Sequence, residues 1–153
     1  MTQVKIIFES DDGTEGLWAT PAEDGFVIDN YPFYLKGVNF GDLVDAAPVS
    51  AGIYNYVRTI AKSPHSLYRM LFEDAHAARA TALLVNLDAL GCSHERGLLE
   101  GEVLVALHIP DAVDANAAWT ILETGLNEGT WSVQEGDDRH PCADYDQHRH
   151  LLK

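Results

Sequence analysis

The chain has 153 residues, of which 46% are hydrophobic and 22% charged, a composition typical of a soluble globular protein with room for one ordinary domain or two small ones. Its 24 acidic and 10 basic residues give a net charge of −14, so we expect repulsion from phosphate backbones and anionic membranes, and no binding to either. No apolar run has the length of a membrane span, the N-terminus does not resemble a secretory signal and the two cysteines lie far apart, so we expect a cytoplasmic protein with reduced thiols.

The acidic residues are unevenly distributed along the chain. Residues 1–64 include nine acidic and four basic residues, whereas residues 65–136 include eleven acidic and three basic ones. The remaining segment is nearly balanced. Two interpretations stay open: a solvated acidic surface, or a face complementary to a basic partner, which would accelerate association.

Residues 1–64 predict a small β-subdomain. Segments of alternating or β-branched residues recur at intervals of about 8–12 residues, separated by turns that contain glycine or proline. Short strands at this spacing are typical of a small barrel or a strongly curled sheet. The five predicted strands cover 4–9, 17–20, 26–29, 43–46 and 53–60.

The stretch 28–44 is the centre of this predicted subdomain. It combines four aromatic residues with one proline and two glycines, which predicts a sharply turning strand pair. Alternation predicts that Phe33 and Leu35 face inward. Tyr34 and Lys36 would then face outward. The aromatic residues form either the barrel core and its rim or, through Tyr34, a protein-binding patch.

Residues 65–136 predict a second subdomain, which makes the chain α+β. The predicted order of strand, helix, strand, strand, helix, strand is that of a ferredoxin-like split βαβ unit. Asp74 is the predicted N-cap of the first helix and Gly91 ends it, while Asp111 or Asp114 caps the second. The predicted strands cover 67–72, 92–99, 102–109 and 130–134; the first helix covers 75–90 and the second ends at 126.

Both predicted helices are amphipathic. The residues expected close to one face of the first helix are Ala78, Ala82, Val85 and Leu90, with Leu83, Leu84 and Leu87 widening that face. The apolar set of the second helix includes Ala118, Trp119, Ile121 and Leu122.

Three motifs resemble those of a bacterial family catalogued as a numbered domain of unknown function. They are Asp29-Asn30-x-Pro32-Phe33-Tyr34, Gly37-Val38-x-Phe40-Gly41-Asp42-x-Val44 and His65-Ser66-x-Tyr68-Arg69. The resemblance covers most of the chain up to the polar C-terminal segment. It implies a small, soluble bacterial protein and brings no catalytic residues with it.

The segment 137–153 is polar and rich in histidine and aspartate, which predicts a coil or a short docked segment. His140, Cys142, His148 and His150 are donor types for zinc or another borderline metal. Their spacing matches no established zinc pattern, and polar tails also collect such residues by chance. Apart from this candidate metal ion, we expect no cofactor.

Two further groups are candidate binding residues. His65 and Arg69, at the junction of the two halves, either hold an anionic group or form a cap and an ion pair. Glu95, Glu100 and Glu102, on the predicted hairpin, are candidates for partner contacts or acid–base chemistry. The simpler interpretation of these three is that they are solubilising charges on an exposed hairpin.

The sequence contains no phosphate-binding glycine loop, no Cys-x-x-Cys and no Gly-x-Ser-x-Gly motif. Together with the charge, this favours a non-enzymatic acidic protein that binds a basic protein partner, for example an immunity or antitoxin-type inhibitor of a cationic toxin, acting as a monomer or homodimer. The alternative is a small-molecule or metal-dependent enzyme with its site at the seam between the halves, built from His65, Arg69 and the tail donors.

Overall fold

A computed structural model describes residues 2–11 and 13–140 of the chain. The chain divides into two compact units, which meet in sequence between Ser63 and Pro64. We call them unit 1 and unit 2 and describe each by itself.

Unit 1 is a closed five-stranded barrel. Each strand pairs antiparallel with the next one along the chain, and the fifth closes the barrel by pairing parallel with the first. The prediction of a barrel or curled sheet is thus confirmed. The strands are β1 (Val4–Ser10), β2 (Gly13–Ala22), β3 (Gly25–Ile28), β4 (Leu43–Ser50) and β5 (Ile53–Ala61).

The barrel interior is built by alternation along the strands. Every second residue of β1 points inward, so the side chains of Val4, Ile6 and Phe8 are buried. The residues between them face outward; the Lys5 ammonium, for example, lies 4.7 Å from the centroid of the Trp18 ring on β2. The buried residues that β2, β3, β4 and the β3–β4 loop add are Leu17, Ala19, Ile28, Leu35, Val38 and Val44.

The strands on either side of the stretch 28–44 do pair antiparallel, Phe26 with Val44 and Val27 with Leu43. The prediction of a sharp turn between them is wrong. Residues 29–42 form a loop between β3 and β4 that contains no strand. Near its two ends the loop keeps backbone bonds, from the N–H of Asp29 to the carbonyl of Trp18 at 2.9 Å and from the N–H of Gly41 to the carbonyl of Ile28 at 2.8 Å. Gly37 and Gly41 have φ of 83° and 86°, values that favour glycine. Within the loop, Leu35 is buried and Tyr34 and Lys36 are exposed, as alternation predicted, whereas Phe33, also predicted to face inward, is only half-buried.

Two carboxylates hold this loop. Glu15, on β2, accepts hydrogen bonds from the backbone N–H groups of three consecutive residues, at 2.7 Å from Phe33 and 3.1 Å from both Tyr34 and Leu35. Asp42, fully buried, accepts from the N–H groups of Asn39 at 3.0 Å and Ser63 at 2.8 Å. The two carboxylates therefore satisfy donors that no strand partner could reach.

Unit 2 is a four-stranded sheet with two α-helices, in the predicted order of strand, helix, strand, strand, helix, strand. The spatial order of its strands is β7-β8-β6-β9, and all adjacent strands are antiparallel. The elements are β6 (Ser66–Phe72), a 3-10 turn (Asp74–His76), α1 (Ala77–Leu90), β7 (Ser93–Leu99), β8 (Glu102–Ile109), α2 (Ala115–Glu128) and β9 (Ser132–Asp137).

The buried face of α1 differs from the predicted one. Ala80, Leu83, Leu84 and Leu87 are buried and pack in the core of unit 2, because this i, i+3, i+4, i+7 set carries three leucines on one stripe. The residues expected to anchor the face, Ala78, Ala82, Val85 and Leu90, are exposed. In α2, Ala118, Trp119 and Leu122 are buried as predicted, and Ile121 is half-buried against the same core.

Helix ends explain the shifts in boundaries. Asp74 begins a 3-10 turn instead of capping a helix, and α1 starts only at Ala77. Asp114 is the cap of α2, its carboxylate accepting from the N–H of Asn116 at 2.9 Å. Gly91 ends α1 with φ of 107°, as predicted.

The last strand begins two residues later than predicted, because 130 and 131 complete the end of α2. The N–H groups of Thr130 and Trp131 both donate to the carbonyl of Gly125, at 2.8 Å and 3.4 Å. The chain is therefore free to enter the sheet only from Ser132.

The role of Glu15 can be tested by replacing it with alanine. This change removes the acceptor of three backbone N–H groups, so we expect the free energy of unfolding of the barrel to fall by about 2 kcal/mol. Amide hydrogen exchange of the barrel strands measures this free energy for unit 1 alone. Glu23→Ala, at the exposed β2–β3 turn, is the matched control and should change it by less than about 0.5 kcal/mol. Equal effects of the two substitutions would contradict the role of Glu15.

Candidate functional site

One end of unit 2 contains a cavity of about 360 Å³, which we call the carboxylate cavity. It lies where the C-terminal end of β6, the N-terminal ends of β8 and β9 and the C-terminal end of α2 meet. Its lining combines two carboxylates, one histidine and an apolar wall. The lining residues are Leu71, Phe72, Glu73, His76, Glu102, Leu126, Gly129, Thr130, Trp131 and Ser132.

The register of the sheet brings the two carboxylates to this cavity. Phe72, the last residue of β6, pairs with Val103 of the antiparallel strand β8. Glu73 directly follows Phe72 and Glu102 directly precedes Val103, so both carboxylates reach the same edge of the sheet. Glu102 was a predicted binding residue, whereas Glu73 was missed, since only the β6–β8 register places it beside Glu102.

The apolar wall is fixed by close packing around Trp131. The indole Nε1 of Trp131 donates to the carbonyl of Leu122 at 3.1 Å, which positions the ring against α2. A Cβ at Gly125 would lie 2.3 Å from that nitrogen, so the helix must carry glycine where the ring crosses it. Phe72 and Leu126 complete the wall.

The end of α2 adds to the negative character of the cavity. The helix stops at Gly129, whose φ of 78° is left-handed, and its last carbonyl groups carry the negative end of the helix dipole. Carboxylates, a helix C-terminus and an apolar wall together suit a lysine or arginine side chain. Its alkyl stem would pack on Phe72 and Trp131 while its charged head meets Glu73 and Glu102.

Three histidines form a second cluster in unit 2. The rings of His65 and His108 meet edge to face with centroids 4.8 Å apart, and His65 Nδ1 accepts from the N–H of Asp111 at 3.2 Å. Burial, followed by the neighbouring His65 and His140, lowers the pKa of His108 to about 4. His108 is therefore neutral at pH 7.

Ser66 joins His140 to strand β6. Its Oγ lies 2.6 Å from His140 Nδ1 and accepts from the N–H groups of Arg139 at 2.7 Å and His140 at 3.2 Å. His140 Nε2 lies 2.8 Å from the carbonyl of Pro110 and donates to it, because a carbonyl oxygen can only accept. Ser66 is 1% exposed and its hydroxyl takes part in these hydrogen bonds, so it connects Arg139 and His140 to β6. A buried hydroxyl of this kind is not accessible to act as a nucleophile.

Asp138 extends the same network into the core. Its carboxylate accepts from the hydroxyl of Tyr68, which in turn accepts from the indole N–H of Trp119 at 3.3 Å. Burial raises the pKa of Tyr68, and the hydrogen bond and charge of Asp138 raise it further, so the phenol stays protonated. Residues 138–140 are thus tied to β6 by hydrogen bonds.

The residues 2–11 and 13–140 contain no group of three His, Cys, Asp or Glu side chains arranged to hold a metal ion. His140, one of the predicted donors, uses both ring nitrogens in hydrogen bonds to Ser66 and Pro110. The other three, Cys142, His148 and His150, lie outside the described residues.

A family model with the description Domain of unknown function (DUF4265) matches residues 15–133. The chain belongs to this family. The resemblance drawn from the Asn-x-Pro-Phe, Gly-Asp and His-Ser-x-Tyr-Arg motifs is confirmed by this match.

Among solved structures, the chain is similar to one described as a novel crystal structure of a hypothetical protein from Neisseria gonorrhoeae. The TM-score is 0.67 at 13% sequence identity, over 89% of this chain and 94% of the other. At this identity the likeness concerns the fold alone. None of the curated proteins matches the sequence. In the described part of the chain, no helix has the length and apolar character needed to cross a membrane.

In this DUF4265 member, motif residues of unit 1 make the hydrogen bonds that hold the loop 29–42 in place. The side-chain oxygen of Asn30 accepts from the N–H of Trp18 at 2.9 Å, and Asp42 joins the loop to Ser63. In the third motif, Ser66 and Tyr68 belong to the network around Asp138 and His140. The motifs thus mark hydrogen bonds that hold the fold.

The other predicted binding residues fall in different places. Glu95 on β7 and Arg69 on β6 both pair with Ala106 of β8, so they share one row on one face of the sheet. Arg69 is only 2% exposed, while Glu95 is exposed. Glu100 lies in the β7–β8 turn with φ of 52°, two residues before Glu102.

Tyr34 belongs to unit 1, where it lines a different cavity. Cys92, in unit 2, is a buried free cysteine. Burial, followed by the nearby Asp88 carboxylate, raises its pKa to about 11, so it remains a thiol at neutral pH and is a poor nucleophile. That Cys92 is kept reduced in the cell stays a prediction.

The lowered pKa of His108 makes stability depend on pH. The unfolded chain takes up this proton near pH 6.5 and the folded chain only near pH 4, so unfolding binds a proton in this window and stability rises with pH. We expect His108→Gln to reduce the slope of unfolding free energy against pH, between these two values, by up to about 1.4 kcal/mol per pH unit. Urea denaturation at a series of pH values measures it.

The control for this experiment is Asn86→Gln, which changes an exposed side chain of α1 that carries no titrating proton. Its slope should equal that of the unchanged protein. A slope for His108→Gln that is also unchanged would show that His108 is protonated in the folded state at the same pH as in the unfolded chain.

Proposed function

We propose that the protein is a non-enzymatic acidic binding protein that engages a basic protein partner through the carboxylate cavity of unit 2. The observation that carries this proposal is the convergence of Glu73 and Glu102 at the C-terminal end of α2, above an apolar wall. A lysine or arginine of the partner would place its stem on that wall and its head between the carboxylates.

The overall charge supports the same interpretation. A net charge of −14 raises the rate at which a cationic partner meets the protein, and residues 65–136 contain eleven acidic against three basic residues. One of those basic residues, Arg79, is paired with Glu128: its Nε and Nη2 lie 2.8 Å and 2.7 Å from the two carboxylate oxygens. An immunity or antitoxin-type inhibitor of a cationic toxin fits this size and charge.

We also infer that unit 2 is a ferredoxin-like split βαβ unit. What supports this assignment is the strand order β7-β8-β6-β9 with antiparallel neighbours, combined with one helix after the first strand and one after the third. In that arrangement the carboxylate cavity occupies one end of the sheet, beside the β7–β8 hairpin that carries Glu100 and Glu102.

The proposal is tested by capturing partners from an extract of the organism that encodes the chain. The bait is the full chain, either unchanged or as the double variant Glu73→Gln and Glu102→Gln. We expect the unchanged bait to retain a basic protein at about 50 mM salt and to release most of it at about 500 mM. The double variant should retain at least about tenfold less, because it keeps the shape of the cavity and loses its charge.

The matched control is Glu23→Gln with Asp24→Asn, which removes the same charge from an exposed turn of the barrel. It should retain the partner within about twofold of the unchanged bait. Equal losses from both double variants would mean that total charge, and not the cavity, governs binding, and the assignment to the cavity would then be wrong. Retention of no basic protein by any bait would overturn the proposed function itself.

A further inference from the structure

Unit 1 contains a cavity of about 390 Å³ at the point where β1 and β5 diverge. These two strands pair in parallel only from Lys5–Ile53 to Ile7–Asn55, although β1 continues to Ser10 and β5 to Ala61. The cavity opens next to the last pair. Its lining residues are Phe8, Glu9, Ser10, Asp11, Tyr34, Leu35, Lys36, Gly37, Val38 and Tyr56.

The closure of the barrel therefore creates this cavity. A neighbouring cavity of about 230 Å³ shares Glu9 and Tyr56 with it and is otherwise lined by Ile7 and Asn55, the last parallel pair. The cavity of about 390 Å³ has by itself the volume of an ordinary small-molecule site.

Aromatic rings line the cavity from two sides. Phe8 and Tyr56 come from β1 and β5, with ring centroids 4.7 Å apart; Phe8 is buried in the barrel core, so Tyr56 presents the more accessible of these two rings. Tyr34 comes from the loop 29–42, and its side chain is 49% exposed. The bonds from Glu15 to the N–H groups of Phe33, Tyr34 and Leu35 hold the backbone on both sides of this ring. The ring is therefore presented from a fixed backbone, which lowers the entropic cost of binding.

The charges around the rings are of both signs. Glu9 and Asp11 contribute carboxylates from the end of β1, and Lys36 contributes an ammonium from the loop. Aromatic faces attract cations, and neighbouring carboxylates strengthen that attraction. Lys36 disfavours a ligand that is purely cationic and favours one that brings an anionic group of its own.

The chemistry of the rings also selects the kind of cation. A primary ammonium needs acceptors for three N–H groups, so it would bind at the carboxylates of Glu9 and Asp11 instead of among the rings, which accept none. A trimethylammonium group has no N–H donor, and its charge is spread over methyl groups that pack against rings. We propose that this cavity binds a small zwitterion of the betaine type, with its trimethylammonium group among the rings and its carboxylate toward Lys36. This inference is independent of the carboxylate cavity in unit 2.

The test is a titration of the full-length ¹⁵N-labelled protein with glycine betaine, followed by NMR. The comparison ligand is 3,3-dimethylbutanoate, which has the same shape and carboxylate with a neutral carbon in place of the nitrogen. We expect saturable shifts at amides of residues 8–11 and 34–38 with a millimolar Kd, and at least about tenfold weaker binding of the neutral isostere. Similar binding of the two compounds would overturn the proposal.

Three variants assign the roles of the side chains. Tyr34→Ala should weaken glycine betaine binding by about tenfold, whereas Tyr34→Phe, which keeps the ring, should stay within about twofold. Lys36→Gln should weaken glycine betaine about threefold and should not weaken tetramethylammonium, which has no carboxylate. Binding to Tyr34→Ala that equals binding to the unchanged protein, or shifts spread evenly over the surface, would contradict a site in this cavity.

Discussion

The antiparallel pairing of β6 with β8 is the constraint on which the candidate site of unit 2 depends. It sets Phe72 opposite Val103 and so brings Glu73 and Glu102, which are far apart in sequence, to one edge of the sheet. The packing of Trp131 across Gly125 then puts an apolar wall beside them, at the end of α2. A cationic side chain that enters the cavity would meet both of these carboxylates.

In unit 1 the corresponding constraint is a set of hydrogen bonds from backbone N–H groups to side-chain carboxylates. Glu15 and Asp42 accept hydrogen bonds from backbone N–H groups that have no partner on a neighbouring strand. The fourteen-residue loop between β3 and β4 is therefore held without β-sheet hydrogen bonds between its two ends. The family motifs Asn-x-Pro-Phe and Gly-Asp lie in this loop. Their positions are explained by the hydrogen bonds that they make within unit 1.

Elements with strong local periodicity could be predicted from the sequence. The strands of both units, the two helices and the glycine that ends α1 follow from alternation, amphipathicity and turn residues. The stretch 28–44 was predicted wrongly because its backbone is satisfied by Glu15, which lies about twenty residues away. Composition signals turns and aromatic residues there, and it carries no information about that partner.

The candidate sites show the same division between local and long-range information. Glu100 and Glu102 could be singled out because a hairpin with several carboxylates is visible in the sequence. Glu73 and the apolar wall could not, since they join Glu102 only through the β6–β8 register and the end of α2. The buried face of α1 was predicted wrongly for a related reason. Alanines occur on several sides of this helix and do not indicate which side is buried, so the packing of its leucines decides the orientation of the helix.

The preference of the carboxylate cavity for a cationic side chain can be measured directly by NMR titration with a capped tri-arginine peptide. The account predicts saturable, salt-sensitive shifts of the Trp131 indole N–H and of the Glu73 and Glu102 side-chain carboxyl carbons. Shifts spread over the exposed acids of both units, with the Trp131 indole unaffected, would contradict it.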